Sequence, residues 1–181
     1  GRANPNQLIL TASTQRSIAA LRDELVAAHR DRFGPNADSD LCIGLQLTHS
    51  GRFARPDVWN KSVPLAACRH PILDRRFSDG VRVLTDEELD RLVDDYVAAA
   101  RLAHACGFRF VDAKACHGYL GHEMLGATTR PGRYGGSIEN RMRFITRIVE
   151  GIRSAVPGLG VVVRASIFDV VPHRKGPEGV G

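Results

Sequence analysis

Residues 14–30 carry Ile18, Leu21, Leu25 and Ala28 at helical spacing between polar positions, and this pattern predicts a first helix. The Gly34-Pro35-Asn36 break ends it. Leu41-Cys42-Ile43-Gly44-Leu45-Gln46-Leu47 is a short apolar run bounded by turn residues, which predicts a strand covered on both faces. Gln46 is unexpected there. Over residues 50–84 no period persists and Pro56, Pro64 and Pro71 interrupt the chain, so a long functional loop is expected. Thr85 with Glu88 three residues on makes a capping box, and Leu89, Leu92, Val93, Tyr96, Val97, Ala100 and Ala103 line one face of the helix that follows. Gly107 stops that helix, residues 108–113 read as a second strand, and residues 115–136 read as a second long loop. Ser137 or Asn140 then caps a helix with the stripe Phe144, Ile145, Ile148, Val149 and Ile152. Pro157 and Gly158 end it, and Val161-Val162-Val163 opens a third strand.

Short apolar strands alternating with amphipathic helices imply parallel crossovers, and so an α/β sheet or barrel. The 181 residues, 43% of them hydrophobic, are ample for one core and short for a complete eight-fold barrel, which takes roughly 250 residues. The chain lacks an initiating Met and ends in the loop-like Gly176-Pro177-Glu178-Gly179-Val180-Gly181, so a piece of something longer is expected.

The net charge of +5 and a pI near 9.4 raise nucleic-acid binding as a possibility. The basic residues, however, stand singly among acidic ones, as in Arg22, Asp23 and Glu24, and no nucleic-acid partner is expected. Cys42, Cys68, Cys106 and Cys116 stand far apart without a C-x-x-C pair. They read as free thiols of a cytoplasmic protein, with no metal site. No apolar stretch approaches the roughly 20 residues of a membrane span, and the polar start has no signal-peptide core.

In parallel barrels, functional groups gather at the C-terminal ends of strands and in the loops beyond them. The first strand here ends in Gln46, His49, Ser50 and Arg52, the second in Lys114, His117 and Tyr119, and the third carries Arg164 and Ser166. Each has a plainer alternative: Gln46 as a hydrogen-bonded core amide, His49 as a brace for its loop, Tyr119 as packing. Lys114 is harder to dismiss, because an unpaired ammonium at the end of a buried strand costs several kcal/mol unless water, an anion or a ligand meets it. Other motifs fail on their letters. His122-Glu123 is followed by Gly126 where a zinc protease needs its second histidine, and Gly158-Leu159-Gly160 precedes a strand when a dinucleotide fingerprint should follow one.

Gln46-Leu47-Thr48-His49-Ser50-Gly51-Arg52 resembles the Q-L-x-H-x-G-R signature of old yellow enzyme relatives, including the 2,4-dienoyl-CoA reductase branch. Cys116-His117-Gly118-Tyr119-Leu120, continued by Arg130, Arg133-Tyr134-Gly135-Gly136-Ser137, Glu139-Asn140-Arg141 and Arg143-Phe144, is similar to that family's second, longer segment. The likeness runs from near residue 5 to about residue 169. It implies a truncated TIM (β/α)8 barrel, with residues 1–181 as a partial FMN-binding domain covering roughly the third to fifth strands and their helices.

By this resemblance Gln46 would hydrogen-bond the pyrimidine edge of FMN, and Arg164 would lie by the flavin N1–O2 region. Lys114 would stand among the cofactor and substrate contacts, sharing a substrate carbonyl with His117 in a place where many relatives have histidine. Tyr119 would be the proton donor. NAD(P)H would reduce FMN, and the C=C bond of an α,β-unsaturated carbonyl compound would take hydride from flavin N5. The lysine leaves flavin-dependent amine oxidation or demethylation open as an alternative, and a non-catalytic barrel fragment is a third reading. Residues 133–144 read as scaffold, with Glu139 and the arginines tying the loop to the helix start. The expected partner is a small molecule; homo-oligomerisation stays open. Because the family's phosphate-binding strand ends are not in these residues, the 181-residue chain is expected to hold FMN weakly or not at all.

Overall fold

A computed structural model describes residues 1–166. The terminal segment Gly176-Pro177-Glu178-Gly179-Val180-Gly181 lies outside the described residues. Helix α1 (Gln15–Phe33) precedes strand β1 (Gly44–Leu47). Two short strands, β2 (Leu65–Ala66) and β3 (Arg82–Val83), lead to helix α2 (Asp86–Ala105). Strand β4 (Phe110–Ala115), helices α3 (Leu120–Leu125) and α4 (Ile138–Ala155), and strand β5 (Gly160–Ala165) follow.

The main sheet has the order β1-β4-β5, with both pairs parallel, as the alternation predicts. It is an open arc with β1 and β5 at its edges. Burial alternates along β4. Val111, Ala113 and Ala115 are at most 1% exposed, while Phe110, Asp112 and Lys114 are half-buried. One face therefore packs on the helices and the other does not. The core on the packed face joins Leu89, Val93, Tyr96, Ala100 and Ala103 of α2 to Phe144, Ile145, Ile148 and Ile152 of α4, the two stripes expected from periodicity.

Caps behave as their letters predict. Thr85 accepts from the Glu88 N–H while Glu88 accepts from the Thr85 N–H, and Ser137 accepts from the Asn140 N–H. Gly107, at φ 85°, lets the chain leave α2 and turn into β4.

Three expectations need correction. Helix α1 buries Ile18 and Val26, with Arg22 and His29 half-buried between and beyond them, whereas Leu21, Leu25 and Ala28 are exposed. The seam follows every fourth residue, so the leucines lie to one side of it. The long loop after β1 is not structureless: it holds the β2–β3 parallel pair and 3-10 turns at Gly51–Phe53 and Leu73–Arg76. The second loop contains α3, whose six residues are too few to display a period. No helix among the described residues is long and apolar enough to cross a membrane.

Candidate active site

Register partners in a parallel sheet project to the same side, so the face of the main sheet turned away from the helices can be read in rows. The first row is Gly44, Phe110 and Gly160. A Cβ at Gly44 would overlap the Phe110 ring, and one at Gly160 would lie 2.9 Å from the Phe110 Cβ. Two glycines thus make room for one aromatic floor. The second row is Gln46, Asp112 and Val162, and there Gln46 Nε2 donates to Asp112 Oδ2 at 2.6 Å. The third row pairs Lys114 with Arg164. From floor to mouth, the face runs from apolar to amide and carboxylate, then to two cations.

The loop after β4 carries Tyr119 back to this mouth. His117 (φ 60°) and Gly118 (φ 69°) are consecutive left-handed residues, a conformation that costs a non-glycine residue on the order of 1 kcal/mol. His122 Nδ1 holds the turn by accepting the Gly118 N–H at 2.9 Å. The Leu120 N–H reaches the His49 carbonyl at 3.1 Å, which ties the turn to the end of β1. As a result the Lys114 Nζ sits 3.7 Å from the centroid of the Tyr119 ring, a cation–π contact. Phe53, its ring centre 6.5 Å away, supports that ring. Gln46, Lys114 and Arg164 thus share one face of the sheet, and Tyr119 joins that face through Lys114. His117 is exposed at the apex of the turn.

His49, Ser50 and Arg52, expected among the polar strand ends, are not at this mouth. His49 is 5% exposed, and its Nδ1 accepts the Gly51 N–H. Burial pushes its pKa down to about 3, so it braces the loop as a neutral ring. Arg52 is 1% exposed and forms ion pairs with Asp74 and Glu123 while donating to the Cys68 carbonyl at 3.0 Å. Burial raises the Glu123 carboxyl above the usual carboxylate range, against the pull of Arg52. This network fastens the loop to α3.

The sequence model of the NADH:flavin oxidoreductase / NADH oxidase family matches residues 12–178. The chain belongs to this family. Among its members, 12-oxophytodienoate reductase 1 of Oryza sativa subsp. japonica is 31% identical over 162 residues, covering 86% of this chain and 40% of its own length. A solved 2-naphthoyl-CoA reductase superposes with a TM-score of 0.67 at 26% identity, covering 85% of this chain and 24% of that one. Histamine dehydrogenase from Rhizobium sp. 4-9 gives a TM-score of 0.61 at 30% identity, covering 72% of this chain and 19% of that one. The chain spans about a third to a half of the length of the curated relatives with which it is compared. Its three parallel strands and their helices are part of the family's TIM barrel, here an open arc.

The residues on the open face fit the family's flavin. An isoalloxazine ring is flat and apolar, with donors and acceptors along its pyrimidine edge, and the face offers an amide, a carboxylate and two cations above an aromatic floor. Among the described residues, Asp112 Oδ1 is buried on this face without a hydrogen-bond partner. Asp112 is the site residue that pattern reading misses. The alternation Phe110, Asp112, Lys114 against Val111, Ala113, Ala115 was the available signal, since it sets both charges on one face.

The second motif segment is tied down by α2 as well as by its own arginines. Arg130 donates to Asp86 at 2.7 Å, the Arg133 N–H to the same carboxylate at 2.8 Å, and the Tyr134 hydroxyl to Asp90 at 2.5 Å. Arg133 and Arg147 both pair with Asp90. Within the segment Arg141 donates to the Gly136 carbonyl at 3.1 Å and Arg143 to the Arg133 carbonyl at 2.8 Å, so the arginines tie the loop to the start of α4 as expected, and the carboxylates of α2 are additional anchors.

Proposed function

We propose that this chain carries the flavin- and substrate-facing part of an FMN-dependent, NAD(P)H-using oxidoreductase that reduces the C=C bond of an α,β-unsaturated carbonyl compound. The observation that carries the reading is the one sheet face that holds Gln46, Lys114 and Arg164, with the Lys114 ammonium on the Tyr119 ring. FMN, when bound, supplies a hydride at N5 that NAD(P)H replenishes. Gln46 would hold its pyrimidine edge, and Arg164 would place positive charge where reduction builds negative charge. Lys114, with His117 from the turn, would bind the substrate carbonyl oxygen and stabilise charge developing there. Tyr119 would give its phenolic proton to the α-carbon as the β-carbon receives hydride, which balances the addition of H2 across the double bond.

Tyr119→Phe in the full-length protein tests this. Alkene reduction is expected to fall by about a hundredfold, within the range for loss of a general acid, while flavin reduction by NAD(P)H stays unchanged. An unchanged alkene step removes Tyr119 from the mechanism.

A second reading, oxidation of an amine, is favoured by the 30% identity to a protein named histamine dehydrogenase. Lys114→His, compared on an enone and an N-methylated amine, separates the two. Gain of enone turnover with loss of amine turnover would favour the amine reading for the unaltered protein. Enone turnover that is higher before the exchange favours the first reading, and no turnover of either substrate in either form sinks both.

A further inference from the structure

We infer that Asp112 is a positioning residue that sets which end of the Gln46 amide faces the flavin, an inference that rests on the reading above. A carboxylate in the middle of a parallel strand is disfavoured by strand packing and by desolvation. Asp112 is nevertheless there, half-buried, with Gln46 and Val162 beside it in its row and Lys114 two residues on. Gln46 is the one row neighbour able to donate to it. Because an ionised carboxylate only accepts hydrogen bonds, the amide must turn its NH2 group towards Asp112 Oδ2, 2.6 Å away. This chemistry settles an orientation that an amide of nearly symmetric shape would otherwise leave open.

The Gln46 Oε1 is thereby left as an acceptor for a ring N–H. The Asp112 Oδ1, buried and without a partner among the described residues, points to a second donor that those residues do not supply. A pyrimidine edge of alternating C=O and N–H groups meets the Gln46 requirement, and a water or ring N–H meets that of Asp112. Asp112 also places one negative charge a row below the Lys114 and Arg164 cations.

The test uses the flavin-loaded full-length protein and its Asp112→Ala, Asp112→Asn, Gln46→Glu and Gln46→Glu/Asp112→Asn variants, with FMN dissociation constants and flavin midpoint potentials as readouts. Asp112→Ala is expected to weaken FMN binding about tenfold, the size of one hydrogen bond to a charged group. Gln46→Glu should weaken it further by facing two carboxylates. The double variant reverses the polarity of the bond while keeping an outward acceptor, and it should recover binding to within about threefold of the unaltered protein. Asp112→Asn should move the potential in the positive direction, because a negative charge beside the ring is removed. Native near-UV circular dichroism with unchanged FMN affinity in Asp112→Ala, or a double variant no better than Gln46→Glu, overturns the role of Asp112. An unaltered protein that binds no FMN overturns the flavin reading itself, and this inference with it.

Discussion

His49 shows how a residue that looks catalytic by type becomes structural through burial. Its folded pKa of about 3 lies below the ordinary histidine value of 6.5, so between these values the unfolded chain binds a proton that the folded chain does not. Folding stability should therefore be unaffected above about pH 6.5 and fall as pH drops towards 3, by up to the order of 4 kcal/mol from this group alone. Asparagine at this place would keep an acceptor for the Gly51 N–H without titrating. His49→Asn should thus flatten the loss of stability between pH 6 and 4 in urea melts, and an equally steep loss would assign acid sensitivity elsewhere. The contrast with Lys114 is instructive at this scale. Sequence position put both residues at strand ends, and Lys114 does reach the rim, but only the fold shows that His49 turns into its own loop. Asp112 went unseen for the opposite reason, since a single acid inside an apolar run reads as strand interior until its row partners are known.

At the scale of elements, what periodicity could carry was legible: α2, α4, their caps and the three main strands all come from runs long enough to repeat a pattern. The β2–β3 pair, α3 and the loop turns were not, because they are short and held by partners far away in sequence. Arg52 is the clearest such partner, pairing with Asp74 and with Glu123, a residue 71 positions away. Removing it strands Glu123, 8% exposed at its side chain, without its counter-charge. Arg52→Ala should cost about 3–5 kcal/mol, the usual loss when one member of a buried pair is deleted. It should also open residues 53–83 to limited proteolysis before the rest of the chain. The deficit should shrink at acidic pH, because the raised pKa of Glu123 lets it become neutral and shed its need for a partner. A loss under about 1 kcal/mol would show that the pair behaves as a surface ion pair.

At the scale of the whole molecule, the described residues form a sheet that is an arc, with the face carrying Gln46, Asp112 and Lys114 turned away from the helices. Parallel sheets in α/β proteins bury both faces, yet here Val162 is 48% exposed and Val163 39%, on an edge strand with one neighbour. Gln46 and Arg164, at opposite edges of the arc, can each offer a group to a flavin, but three strands do not enclose one. A ring held from one side keeps most of its apolar surface in water, and its phosphate tail gains nothing from the rows described. The purified 181-residue chain should therefore hold FMN weakly, with dissociation constants well above micromolar and no bound yellow cofactor after gel filtration. Adding the remaining strands of the barrel, in one chain or as a separate piece, should restore stoichiometric binding. Stoichiometric FMN absorbance on the 181 residues alone would mean that the arc closes around the flavin by another route, such as pairing of two copies through their open edges. Sedimentation of the flavin-bound species would then separate a dimer from a monomer.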